Sequence, residues 1–126
     1  MARILVIEDN AVNLALVDYL LHHAGHQVVS AATGEAGLAL ALADPPALVL
    51  CDLQLPGLDG YGVLAALRAA AITACVPVVA LTAFSMSDDR ERVRTAGFDG
   101  YLTKPIEPEG FIGQVAVFLQ QAPRGH

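Results

Sequence analysis

Three acidic side chains, a hydroxyl and a lysine in this 126-residue chain each close a short apolar run. Glu8-Asp9 follows "RILVI", Asp52 follows "ALVLC", Thr82 follows "VPVVAL", and Thr103-Lys104-Pro105 follows "YL". Taken singly, each has a bland reading. Asp52 can end a strand by hydrogen-bonding its loop, and Thr82 can be an ordinary β-branched strand residue. Taken together they describe a chemistry. Three carboxylates brought close repel one another and raise their own pKa values, so a cation must balance them. Lys104 supplies one charge. Oxygen ligands with room for water suit a hard divalent ion, Mg²⁺ or Mn²⁺. A carboxylate served by such an ion and by a lysine can act as nucleophile and form an acyl phosphate. There is no GxxxxGK followed by Ser or Thr, and no GxGxxG. Without a glycine-rich phosphate loop, the expected donor is a protein or a small acyl phosphate rather than a nucleotide.

Bringing these residues to one place requires a repeating frame. Five apolar runs read as strands: Ile4–Ile7, Val28–Ala31, Ala47–Cys51, Val76–Leu81 and the region of Tyr101–Leu102. Near-continuous Val, Ile and Leu is the pattern of strands covered on both faces. Helical periodicity fills the gaps. Asn10 and Thr33 are placed to cap the first two helices, with Gly25 and Pro45-Pro46 as stops. A third helix is predicted from about Gly60 to Ala70. A fourth starts near Ser85 or Ser87, with Asp88 and Asp89 at its positive end, and stops at Gly97. A fifth starts at Pro108 and ends near Gln121. Strand and helix alternate five times, which predicts a doubly wound parallel sheet with helices on both faces. Such sheets bind ligands beyond the carboxyl ends of their strands, where the polar residues above fall.

Composition narrows the function classes. Residues 1–121 are expected to form one domain, followed by a short tail at 122–126. A net charge of −6 argues against nucleic acid as a direct partner. No stretch approaches the roughly 20 apolar residues of a spanning helix, and no leader pattern precedes the first strand, so no membrane contact and a cytoplasmic location are expected. Cys51 and Cys75 are expected to be buried thiols. The four histidines show no ligand spacing and receive no role.

The segments "IEDN", "CDLQLPGLDG", "LTAF" and "YLTKP" occur in that order between the alternating elements. With them the chain resembles the receiver domain of bacterial response regulators over nearly its whole length. "EDNxxN" and "TAFSM" are most similar to stand-alone cell-cycle regulators and to receivers of hybrid sensor kinases. The resemblance implies an α/β flavodoxin-like fold with strand order 2-1-3-4-5. It implies Asp52 as phosphoacceptor, Asp9 as a direct Mg²⁺ ligand, Glu8 acting through water, and the carbonyl of Gln54 completing the metal shell. Lys104, Thr82 and the amide of Ala83 would contact the phosphoryl group. Thr82 and Tyr101 would carry the switch, and Pro105 would follow a cis bond. Asn13 and Tyr101 also have plain structural readings, as a solvent-facing side chain and as edge packing. Phe84 lies where the family varies and its dephosphorylation is tuned; an apolar ring there implies a long-lived phosphorylated form.

The implied function is a signalling switch rather than an enzyme. A histidine kinase or histidine phosphotransfer protein gives its phosphoryl group to Asp52, and a downstream protein reads the face of the fourth helix, fifth strand and fifth helix. With only "APRGH" after the last helix, either a stand-alone regulator or a receiver excised from a larger protein is expected, the initial Met favouring the former. A receiver used without phosphorylation is a further alternative, though none of its hallmark losses is seen. A dehalogenase-type phosphatase would need Asp where Gln54 stands. Three carboxylates would repel a flavin phosphate.

Overall fold

The computed structural model describes residues 2–83 and 87–120, with the side chains of residues 87–89 outside the description. Five strands alternate with five helices: β1 (Arg3–Ile7), α1 (Ala11–His23), β2 (Gln27–Ala31), α2 (Gly34–Ala43), β3 (Leu48–Asp52), α3 (Gly60–Ala69), β4 (Val78–Thr82), α4 (Ser87–Ala96), β5 (Gly100–Thr103) and α5 (Pro108–Gln120). All strand pairs are parallel, in the order β2-β1-β3-β4-β5. This is the order that the resemblance implies.

Alternation of side chains along each strand builds two cores, one on each face of the sheet. β1 sends Leu5 and Ile7 to one face, where Val49, Cys51, Val78 and Ala80 meet Val63, Leu64 and Leu67 of α3 and Val93 of α4. It sends Ile4 and Val6 to the other, where Leu48, Leu50, Val79 and Leu81 meet Val17 and Leu21 of α1 and Phe111 and Val115 of α5. β3 and β4 are buried along their whole length, as their unbroken apolar runs predict. No described helix is long and apolar enough to cross a membrane.

The helix starts follow local side-chain chemistry. Asn10 Oδ1 accepts from the Asn13 N–H at 3.0 Å, and Thr33 Oγ1 accepts from the Ala36 N–H at 3.1 Å. Asp59 caps α3 in the same way, accepting from the Gly62 N–H at 2.9 Å. Gly25 follows α1 with φ +91°, a conformation that removes the penalty a Cβ would bring. Phe84, Ser85 and the end of the chain from Gln121 lie outside the described residues, as do the side chains of Asp88 and Asp89.

One strand boundary and one cysteine depart from expectation. β4 begins at Val78, not Val76. The Val76 N–H turns back to Thr73 O, Pro77 has no N–H to offer, and the Val78 N–H goes to Asp99 Oδ2 at 2.7 Å. Arg68 fixes this turn: its Nη1 donates to Val76 O at 2.6 Å and its Nη2 to Asp99 Oδ2 at 2.8 Å. Cys75 therefore sits on the turn and is exposed, a correction to the buried thiol expected there, while Cys51 is buried in β3. Burial pushes the Cys51 thiol up to about 12. A thiol-titrating disulfide reagent is therefore expected to react with one cysteine in the native protein and two in denaturant. Two fast thiols in the native state would contradict the burial of Cys51.

Candidate functional site

The carboxyl ends of β1, β3, β4 and β5 converge on one cleft lined by Glu8, Asp9, Asn10, Asn13, Asp52, Gln54, Thr82, Ala83 and Lys104. The geometry follows from the sheet. β3 is central, so Asp52 at its end is held between β1 and β4. Asp52 Oδ1 accepts from the Gln54 N–H at 3.0 Å, and Oδ2 lies 2.8 Å from Lys104 Nζ. Lys104 is anchored through its own N–H to Thr82 O at 2.8 Å, and its bond to Pro105 is cis. Glu8 Oε2 accepts from the Asn10 N–H at 3.1 Å. Its Oε1 is 2.8 Å from Lys104 Nζ, an ion-pair contact without hydrogen-bond alignment, so this buried oxygen has charge compensation but no aligned donor.

The chain reversal after Asp52 is equally constrained. Residues 53–59 fold back so closely that a Cβ on Gly60 would stand 2.6 Å from Asp52 O and 2.8 Å from Leu53 Cα. The Gly60 N–H closes the loop onto Leu53 O at 3.2 Å. Glu35 of α2 steadies the far side, accepting from the Leu58 N–H at 3.3 Å. Gly60 thus serves the acceptor's position as well as the start of α3.

Glu8 and Asp52 are 1 % and 5 % exposed, whereas Asp9 is open to solvent. One oxygen from each of the three lies within 4.8 Å of the others. Burial pushes the Glu8 carboxyl above its ordinary value, and Asp52 beside it adds to the rise; Lys104 and the Asn10 N–H pull it partly back. Burial draws the Lys104 ammonium down, but its contacts with Asp52 and Glu8 outweigh burial and hold it above its ordinary value. Three carboxylates facing one ammonium leave two negative charges to balance. Together with the poorly served Glu8 oxygen and an all-oxygen donor set, this fits a hard divalent cation.

Of the residues singled out in the sequence, Glu8, Asp9, Asn13, Asp52, Gln54, Thr82, Ala83 and Lys104 line this cleft, whereas Tyr101 and Pro105 are not among its lining residues and Phe84 lies outside the described residues. Tyr101 lies on β5 and borders a separate cleft with Arg90, Arg94 and Phe98; the Arg90 guanidinium is 5.9 Å from its ring centroid. Asn13 reaches the rim of the acceptor cleft. Sequence reasoning missed Asp59 as the α3 cap, although "DG" before a helical apolar pattern carries that signal.

Residues 4–116 match the family described as the response regulator receiver domain. The chain is 34 % identical over 119 residues to the polar-differentiation response regulator DivK of Brucella ovis, covering 94 % of this chain and 97 % of that one. It is 39 % identical over 124 residues to the DNA-binding dual master transcriptional regulator RpaA of Synechocystis, covering 98 % of this chain but 52 % of that one. Among solved structures, the receiver domain of sensor histidine kinase PA1611 from Pseudomonas aeruginosa has a TM-score of 0.87 at 32 % identity, covering 95 % of this chain and 98 % of that one. That protein holds a magnesium ion in its active-site cleft. The match over 4–116, spanning all four motif segments, shows that this chain belongs to the response regulator receiver domain family.

Proposed function

We propose that this domain is a phosphorylation-operated switch in two-component or phosphorelay signalling, with Asp52 as the acceptor. The observation that supports this most is the placement of Asp52: at the end of a buried central strand, 2.8 Å from Lys104, with Glu8 and Asp9 oxygens alongside. The donor is the phosphohistidine of a histidine kinase or histidine phosphotransfer protein. An Asp52 carboxylate oxygen forms the new bond to phosphorus while the P–N bond breaks, its electron pair returning to the imidazole ring. Glu8, Asp9, Asp52 and the Gln54 carbonyl would hold Mg²⁺ or Mn²⁺, which would supply charge neutralisation for the phosphoryl oxygens. Lys104, no longer shared with a free Asp52 oxygen, turns its ammonium to a phosphoryl oxygen. Thr82 and the Ala83 amide supply further donors.

These contacts exist only with the phosphoryl group present, so they bias a two-state equilibrium. Moving a population from 1:99 to 99:1 takes about 5.5 kcal/mol, whereas one hydrogen bond to a charged group is worth about 1.5–3 kcal/mol. Lys104, Thr82 and Ala83 must therefore act together. The readout surface is the α4–β5–α5 face, where Tyr101 lies, and it engages a downstream protein in the cytoplasm; no contact with nucleic acid or membrane is part of this role.

The direct test is intact mass after incubation with acetyl phosphate. With Mg²⁺ the protein is expected to gain one phosphoryl group, and a chelator is expected to remove that gain. No gain, or a gain indifferent to chelation, would overturn the proposal.

A further inference from the structure

The acceptor cleft continues into a neighbour. A second cleft of about 470 Å³ shares Gln54, Thr82 and Ala83 with it, and its other described lining residues are Leu53, Asp59, Tyr61 and Arg92. The two adjoin along these shared residues at the ends of β3 and β4. On the far wall the Arg92 guanidinium lies 4.5 Å above the centroid of the Tyr61 ring. That ring is itself held edge-on against Phe98, with centroids 5.7 Å apart. Arg92 thus rests on a fixed aromatic shelf.

Among the described residues its charge is uncommitted. Arg94 pairs with Glu91, Arg68 with Asp99 and Arg3 with Asp44, but Arg92 forms no ion pair among the described residues. Asp59, in the same wall, is engaged as the α3 cap. Lys104 is tied between Asp52 and Glu8. Across both clefts the charged lining among the described residues is Glu8, Asp9, Asp52 and Asp59 against Lys104 and Arg92. A phosphoryl donor is an anion approaching an acidic protein, so an untied cation beside the acceptor favours its arrival. A guanidinium held by a cation–π contact at an exposed position is readily released to a carboxylate, which it can grip with two parallel hydrogen bonds.

We propose that this second cleft is a subsite for the leaving group of small phosphoryl donors, and that Arg92 selects acyl phosphates whose leaving group carries a second carboxylate. The proposal rests on Asp52 being the acceptor. In the transfer step an Asp52 oxygen bonds to phosphorus, the P–O bond to the acyl oxygen breaks, and the electron pair departs on the released dicarboxylate. No proton, oxidant or further reactant is needed. Tyr61 is the positioning residue that holds Arg92 at the wall between turnovers.

Two matched donors test it: benzoyl phosphate and 4-carboxybenzoyl phosphate, which differ by one carboxylate far from the reacting phosphorus. With Mg²⁺, phosphoryl gain followed by intact mass is expected to half-saturate at a several-fold lower concentration of the 4-carboxy donor. Arg92→Gln should erase that difference, so that the two donors half-saturate at the same concentration in the variant. Equal half-saturation in the parent, or a preference that survives Arg92→Gln, overturns the subsite. A second measurement does not depend on transfer. Free terephthalate should shift the amide resonances of Tyr61 and Ala83 saturably in the parent and in Asp52→Asn, and several-fold more weakly in Arg92→Gln. If neither donor labels the protein, Asp52 chemistry has failed, and this titration alone decides the anion site; no saturable shift overturns it.

Discussion

Asp52→Asn is expected to abolish phosphoryl gain altogether while leaving the fold intact. The amide has no nucleophilic carboxylate oxygen, so no acyl phosphate can form on it. Its shape is nearly that of Asp, and its carbonyl oxygen can still accept from the Gln54 N–H that Asp52 Oδ1 holds at 3.0 Å. The substitution also lifts one negative charge from a cluster in which Glu8, Asp9 and Asp52 face a single ammonium. The lost Asp52–Lys104 attraction is offset by lost repulsion with Glu8. Unfolding in urea without metal is therefore expected to differ from the parent by less than about 1 kcal/mol. Added Mg²⁺ should raise the parent's urea midpoint and leave the variant's nearly unmoved, since a carboxylate ligand is gone. Labelling of Asp52→Asn at the parent's rate would move the acceptor elsewhere in the chain.

Removing the cation should cost more stability than removing the acceptor. Lys104→Met keeps most of the aliphatic stem but strips the balancing charge from two buried carboxylates. Phosphoryl gain is expected to slow about 10²–10³-fold, the scale seen when one donor to a developing charge is deleted. Metal-free stability at neutral pH should fall by about 2 kcal/mol, less than for a fully buried pair because Lys104 retains some contact with water. The loss has a definite pH dependence. Glu8 already titrates above its ordinary 4.5 because it is buried and beside Asp52, and without Lys104 it would rise further. A carboxyl whose folded pKa is raised favours the folded state below its unfolded value and ceases to do so as pH rises through its folded value. The penalty of Lys104→Met should thus shrink as pH falls toward 4.5 and return at neutral pH. Mg²⁺ should restore more stability to the variant than to the parent. Equal urea midpoints for the two metal-free proteins at neutral pH would show that the ammonium carries no such load.

The parts of this molecule that were legible in its sequence share a physical property: they are local. Alternation of buried runs with helical periodicity gave β1, β3 and α1, and the caps at Asn10 and Thr33 act on amides three residues away. The site was legible because a parallel sheet places every strand's carboxyl end on one edge, so residues far apart in sequence are brought together by topology. Contacts that depend on the meeting of distant loops were not legible. Asp99 closes the start of β4 across 21 residues, and Arg68 reaches it across 31. Those two contacts shorten the apolar run at Val76 and turn Cys75 outward, against an expectation drawn from apolar neighbours alone. The placement of Arg92 over Tyr61 was hidden for the same reason: nothing in either helix pattern states which face of α4 meets α3. Strand order entered through the resemblance, since periodicity alone leaves the arrangement of five parallel strands open.

The doubling-back of residues 53–59 bears on how this domain can be diversified. A combinatorial library intended to alter donor or partner choice would naturally randomise the rim of the acceptor cleft. At position 60 any side chain would displace the carbonyl of Asp52 itself, and at position 34 it would press into the carbonyl of Leu58, so clones altered there would be lost for reasons unrelated to recognition. Gln54 and Pro56 are exposed, and a side-chain exchange there meets no such backbone clash. Loop length is not a usable variable either, because both ends of the segment are pinned to each other. Diversity should enter by exchange at 54, 56 and 92, with the spacing between Asp52 and Gly60 held constant.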